Sequence, residues 1–166
     1  MHHFQINEHV QLRFAKEQDI PLVLRFIREL AEYEHLLDQV EVTEAALGKT
    51  IFQDKTAEVI ICEYADKPAG FALFFHNFST FLGKPGIYIE DIFVLPALRG
   101  KGLGTIILSF IAVLAEERHC GRLEWACLNW NKPAIAFYKN QRARPLTEWT
   151  TYRITGENLQ ALAKSR

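Results

Sequence analysis

The passage from Ile87 to Leu114 constrains this chain most. It runs from an almost wholly apolar stretch, Ile87-Tyr-Ile-Glu-Asp-Ile-Phe-Val-Leu95, through Arg99-Gly-Lys-Gly-Leu-Gly104, into apolar residues at helical spacing. The first part reads as a buried strand, because β-branched and aromatic residues run without a polar face. Leu103, Ile107, Phe110, Ile111 and Leu114 fall on one side of a helix that begins near Gly102. A strand, a glycine-rich turn and a helix in this order commit the chain to packing helices on a sheet. They also suit an anion. Glycine lets backbone amides approach a ligand without Cβ interference, and the N–H groups and dipole of a helix start favour negative charge. Arg99 and Lys101 add positive charge at the same place.

The rest of the composition offers no competing attraction. The net charge is −1 over 166 residues, so no whole-protein positive field points to nucleic acid. An anionic ligand must be held by local donors. The length suits one domain, 1–166, with 1–9 expected as a flexible N-terminal segment. Cys62, Cys120 and Cys127 are odd in number and lack C-x-x-C spacing, which argues against a disulfide framework or a zinc site. Buried free thiols and a cytoplasmic location are expected. The N-terminus has no signal-peptide pattern, and no apolar run reaches about 18 residues, so no membrane partner is expected. His2 and His3 read as a solvated end, and no metal site is expected.

The remaining elements follow from periodicity and punctuation. Val10–Ala15 reads as a strand. Asp19 offers an N-cap and Pro21 a first-turn residue for a helix to about Glu34. Thr43 caps a shorter helix to about Thr50. Ala57–Tyr64 and Ala69–Phe78 form a hairpin across the turn 65–68, and Ser79–Gly86 is a loop. After the Gly102 helix come a strand at Arg122–Leu128 and a helix capped by Asn131 and ending near Gln141. A final strand at Glu148–Ile154 and a helix at Gly156–Ala163 complete the chain. The order β-α-α-β-β-β-α-β-α-β-α predicts an α/β fold: a mixed, mostly antiparallel central sheet with helices on both faces.

Two acids, Glu90 and Asp91, interrupt the central strand, and carboxylates are rarely buried without partners. Strict alternation would send them to opposite faces of the sheet. Glu90 stands four residues before Val94, about 13 Å along an extended chain. Tyr138 follows Asn131 by seven positions, almost two helical turns, so both point from nearly the same side of their helix. Either Tyr138 is a core tyrosine, or its phenol faces a ligand.

The glycine spacing G-x-G-x-G is neither a P-loop nor a dinucleotide fingerprint. It matches the [RQ]-x-x-G-x-[GA] motif of the GNAT acetyltransferase superfamily. Four ordered blocks narrow this: Arg28-Glu-Leu-Ala-Glu-Tyr-Glu34, Tyr88-Ile-Glu-Asp-Ile-Phe-Val94, Arg99–Gly104 and Trp130-Asn-Lys-Pro-Ala-Ile-Ala-Phe-Tyr-Lys139. Together they resemble the spermidine/spermine and thialysine N-acetyltransferase family over residues 10–163. The resemblance implies acetyl-coenzyme A as co-substrate and a small amine as acceptor, in a homodimer. It implies Tyr138 as general acid and Glu90 as general base through water. It places Ile92, Phe93 and Val94 against the pantetheine arm. It places Arg99, Gly100, Lys101, Gly102, Leu103, Gly104 and Thr105 at the pyrophosphate, with Asn131 and Lys139 near the coenzyme. Tyr33, Glu34, Glu90 and Asp91 match positions that border the acceptor.

Two departures stand out. The segment Asn77–Gly86 lacks the Asp-Pro-Trp of polyamine-specific relatives, and Gln141-Arg-Ala143 replaces the usual Leu-Gly-Ala. Peptide N-acetylation and a silent acyl-coenzyme A-binding module remain as alternatives.

Overall fold

The computed structural model describes residues 3–165. The chain divides into two compact units, Met1–Trp130 and Asn131–Arg166. The first holds strands β1 (His3–Gln5), β2 (Val10–Phe14), β3 (Glu58–Tyr64), β4 (Lys67–Ser79), β5 (Lys84–Val94) and β6 (Leu123–Trp125). Its helices are α1 (Ile20–Tyr33), α2 (Glu44–Leu47) and α3 (Leu103–Glu117). The second unit holds α4 (Lys132–Asn140) and α5 (Gly156–Lys164).

The six strands lie in sequence order, antiparallel except for the parallel pair β5–β6. Alternation gives the sheet two apolar faces. On one, Val59, Ile61, Phe71 and Phe93 meet Val23, Leu24 and Phe26 of α1. The Phe26 ring stacks on Phe71 at 5.4 Å and lies 6.1 Å from Phe93. On the other face, Phe14 meets Phe110 of α3 at 6.3 Å. Helices therefore cover both faces, as the element order implies. Both Phe26 and Phe71 are fully buried, each worth about 1.5–3 kcal/mol relative to exposure.

Several boundaries differ from the sequence reading. Residues 3–5 of the expected flexible segment pair with β2, Phe4 opposite Leu12, while Met1 and His2 lie outside the described residues. Asp19 does not cap α1. Its carboxylate accepts from the Arg13 guanidinium at 2.7 and 3.0 Å and from the Lys16 amide at 2.8 Å, so a charged partner displaces the capping role. Thr43 Oγ1 does accept from the Ala46 amide, but α2 stops at Leu47 and widens into a π-type turn over Gly48–Gln53. The β4–β5 strands extend into the expected loop, leaving a tip of residues 80–83 with Gly83 at φ +61°.

The expected strand at Glu148–Ile154 is not a strand here. Its alternating, β-branched pattern records a preference for extended backbone, but a ladder also requires a neighbour. Leu146, Trp149, Tyr152 and Ile154 are exposed.

The missing glycine after α4 has a plain outcome. Arg142 takes the left-handed conformation itself, at φ +63°, while the Arg142 and Ala143 amides donate to Lys139 and Tyr138 carbonyls. His35 and His119 end α1 and α3 in the same way, at φ +61° and +55°. All three helices close by a Schellman arrangement without glycine.

Cys62 is buried, and burial pushes its thiol up to about 12. Cys120 and Cys127 are half-buried rather than fully buried. Among the described residues, no helix is long and apolar enough to cross a membrane.

Candidate functional site

The central strand β5 is paired on both sides only along its first part. Its pairing with β6 runs from Ile87–Leu123 to Ile89–Trp125 and goes no further among the described residues, whereas pairing with β4 continues to Val94. Residues 90–94 therefore border an opening in the sheet. The change occurs at a bulge. Phe74 stands opposite Ile89 and Leu73 opposite Asp91, which leaves Glu90 as the extra residue. An extra residue breaks alternation and re-aims side chains. Ile89 and Ile92 stand opposite Phe74 and Ala72 and so share the α3 face, with two acids between them. The sequence expectation that Glu90 and Asp91 face opposite sides fails for this reason. The bulge turns both toward the α1 side.

There they meet the end of α1, where Tyr33 is the last helical residue and Glu34 its cap. Burial pushes the half-buried Asp91 carboxyl up to about 6, and the charges of Glu90 and Glu34 raise it further in the same direction. Burial also raises Glu34. Cys127 is raised by burial and by Glu34. Three carboxylates thus repel one another on one side of the sheet. Among the described ion pairs, none supplies a cation to Glu34, Glu90 or Asp91.

Aromatic rings surround this corner. Tyr33 lies 6.0 Å and His35 5.7 Å from Trp130. The Arg99 guanidinium sits 4.5 Å over Tyr33 and 5.9 Å from Phe93, and its Nε donates to the Val94 carbonyl at 3.2 Å. The Lys101 ammonium lies 5.3 Å over the Tyr64 ring.

The glycine turn starts α3 as expected. Gly100 and Gly102 both have φ +79°, where a side chain is strained, and no atom lies within 4 Å of where either Cβ would sit. Both glycines are therefore required by backbone conformation and face open space. Gly102 is the N-cap, and the first intrahelical bond runs from the Ile106 amide to its carbonyl. The amides of Leu103 and Gly104 precede that bond at the helix start, where backbone N–H groups have no carbonyl one turn earlier in the helix. This arrangement fits a pyrophosphate.

Asn131, Tyr138 and Lys139 belong to the second unit. The Asn131 side-chain oxygen accepts from the Ala134 amide at 3.2 Å and caps α4, as its position suggests. The Tyr138 ring lies 5.3 Å from Phe137, and Lys139 is in the last turn. In the first unit, the structure brings Tyr33, Glu34, Glu90 and Asp91 into one neighbourhood with Phe93 and Arg99. Sequence reasoning missed Trp130, His35 and Cys127 as members of it. Trp130 was visible as the residue beside the Asn131 cap. The other two carried no signal.

The Acetyltransferase (GNAT) family model matches residues 24–142. The thialysine N-epsilon-acetyltransferase of Sus scrofa is 39% identical, covering 93% of this chain and 97% of its own. The L-ornithine N5-acetyltransferase of Arabidopsis thaliana is 30% identical, covering 93% and 88%. An integron cassette protein of V. cholerae has a similar structure, with a TM-score of 0.80 and 27% identity over 96% of this chain and 100% of that one.

The raised Asp91 carboxyl makes stability depend on pH. The folded state holds this proton to about 6, whereas an unfolded aspartate releases it near 3.9. Stability should therefore fall as pH rises from about 4 to about 6, and level off above. Asp19, lowered first by its bond from Arg13, works oppositely and loses its contribution on acidification. Asp91→Asn should shrink the decline between pH 4 and 6, leaving the smaller part due to Glu34, and raise stability at pH 7 by about 3 kcal/mol. Urea unfolding at pH 4.5 and 7 checks this. An unchanged pH dependence in the variant would contradict it.

Proposed function

The chain belongs to the GNAT acetyltransferase family, and we propose that it moves an acetyl group from acetyl-coenzyme A to a primary amine of a small cationic acceptor. The acidic corner of Glu34, Glu90 and Asp91 beside the opening in the sheet carries this reading. A carboxylate held up to about 6 by burial, and further by its acidic neighbours Glu90 and Glu34, is relieved when a cation arrives. The relatives that act on thialysine and ornithine support a diamino-acid-like acceptor. The β4–β5 tip, residues 80–83, has no acid, which supports a short acceptor over a long polyamine.

The bound acetyl-coenzyme A supplies an activated carbonyl and a thiolate leaving group. The protein's tasks follow from the amine. An alkyl ammonium with a pKa of about 10.4 is neutral in only about one molecule in 2,500 at pH 7. Glu34 and Asp91 draw the ammonium in, with Tyr33 beside them. Glu90, exposed at the bulge, takes its proton through water. The Val94 amide stabilises negative charge that develops on the carbonyl oxygen. The amides of Leu103 to Thr105 hold the pyrophosphate, while Ile92 to Val94 lie along the pantetheine arm. The family resemblance gives Tyr138 the acid's part and sets Asn131 and Lys139 near the coenzyme. Transfer is direct, without an acyl-enzyme. The exposed Leu146, Trp149, Tyr152 and Ile154 support a homodimer in which a second copy covers them. Three thiols without a disulfide support a cytoplasmic setting.

The test is a panel of acceptors with acetyl-coenzyme A, read by free-thiol release. Thialysine, ornithine, lysine and short diamines should turn over faster than spermine or peptides. No release with any amine would contradict the reading. Tyr138→Phe should lower turnover by roughly 10²–10⁴-fold while leaving coenzyme A affinity near that of the parent. Parental turnover across the pH range would remove the acid role.

A further inference from the structure

The face of the sheet that carries Asp91 continues past the acidic corner to a second charged cluster. On β4, Leu73 packs against the α1 core, and alternation puts Phe75 and Asn77 on the same face. The Tyr88 ring stands beside Phe75, centroids 5.4 Å apart, and Glu124 of β6 stands opposite Tyr88. The Asn77 amide nitrogen donates to Glu124 Oε2 at 2.8 Å, and Arg122 Nε lies 2.9 Å from the same oxygen. Arg122 Nη2 donates to the Phe78 carbonyl at 3.2 Å. Among the described hydrogen bonds none engages Glu124 Oε1 or Arg122 Nη1, so each charge keeps an open position. The two side chains are 34% and 27% exposed, within reach of a ligand. Asn77 Oδ1 and Arg122 Nε are buried without a hydrogen bond among the described residues, which a cluster serving only to join strands would avoid. We propose that Arg122 and Glu124 receive an α-amino-acid head group at the far end of the acceptor, Arg122 its carboxylate and Glu124 its α-ammonium. This rests on the proposed acetyl transfer to a cationic amine.

The spacing suits such a molecule. Tyr88, opposite Glu124, stands two residues before Glu90. Two residues along β5 and one strand across put the pair about 8 Å from the base, measured on the backbone. In ornithine or thialysine four or five bonds separate the reacting nitrogen from the α-carbon, about 5–6 Å when extended. Hydrogen bonds at the two ends make up the difference. The Phe75 and Tyr88 rings lie between and floor the apolar middle, where a thioether gains from a ring edge. The coenzyme's arm lies on the other side of Glu90, along Ile92 to Val94, so donor and acceptor meet at the base without sharing backbone. A guanidinium pairs with a carboxylate through two parallel hydrogen bonds, whereas the far ammonium of a polyamine meets Arg122 as a like charge. The cluster therefore selects by attraction and by repulsion at once.

Free-thiol release with thialysine and with bis(2-aminoethyl) sulfide, its decarboxylated form, tests this. The parent chain should favour thialysine in kcat/KM by roughly tenfold to a hundredfold, chiefly through KM. Arg122→Gln should bring that ratio close to one. The ratio compares two acceptors on one protein, so a smaller folded fraction cancels from it. Glu124→Gln should likewise erode the preference for thialysine over its Nα-acetyl derivative. Calorimetric titration of thialysine into the chain with coenzyme A, where no turnover occurs, should show weaker binding in Arg122→Gln by a similar factor. No preference in the parent, or an undiminished preference in Arg122→Gln, would overturn the proposal while thiol release with both amines leaves the transfer reading intact. No release with either compound would overturn both.

Discussion

Beyond Ile89, β5 keeps its ladder to β4 and leaves β6, and at that point it carries one residue more than its partner. The rest of the site depends on this departure. If β5 and β6 stayed paired to their ends, the backbone of Ile92 to Val94 would be engaged, with no edge left for a ligand. If the ladder to β4 were regular, Glu90 and Asp91 would face opposite sides and could not act on one another. The extra residue therefore opens a groove and gathers charge beside it in one step. The cost is an acidic pair held close in a half-buried place, visible in the Asp91 carboxyl pushed up to about 6. Nearby packing makes that tolerable. Phe93, two residues on, is anchored against Phe26 and Phe71, so the strand is fixed where the acids are strained.

The glycine turn supplies the complementary half. Gly100 and Gly102 are set by backbone conformation, both at φ +79°, and the open space beside them leaves the first turn of α3 accessible. Arg99, at the head of this turn, reaches back over the Tyr33 ring at the end of α1, so the glycine turn and the acidic corner adjoin.

Much of this was legible in the sequence because local rules governed it. The strand–glycine–helix passage, the Asn131 cap and the alternation of the sheet each depend on residues a few positions apart. The two adjacent acids in an apolar strand marked a functional place, but strict alternation gave the wrong faces, since a bulge is defined by register with β4 and not by β5 alone. Asp19 looked like a cap until Arg13, six residues before it, proved to be its partner. The segment Glu148–Ile154 has a strand's composition and no ladder, because pairing is a property of two segments. The position of Arg99 over Tyr33 lay beyond sequence reasoning for the same cause, since the two are 66 positions apart in the chain.

The central claim is that the donor lies along the open edge of β5 and at the start of α3. Amide hydrogen exchange on the full chain, with and without coenzyme A, tests it most directly. The account predicts that coenzyme A slows exchange at Ile92 to Val94 and at Leu103 to Thr105, while the β2–β3 ladder is unaffected. Binding of coenzyme A with no added protection at either stretch would contradict it.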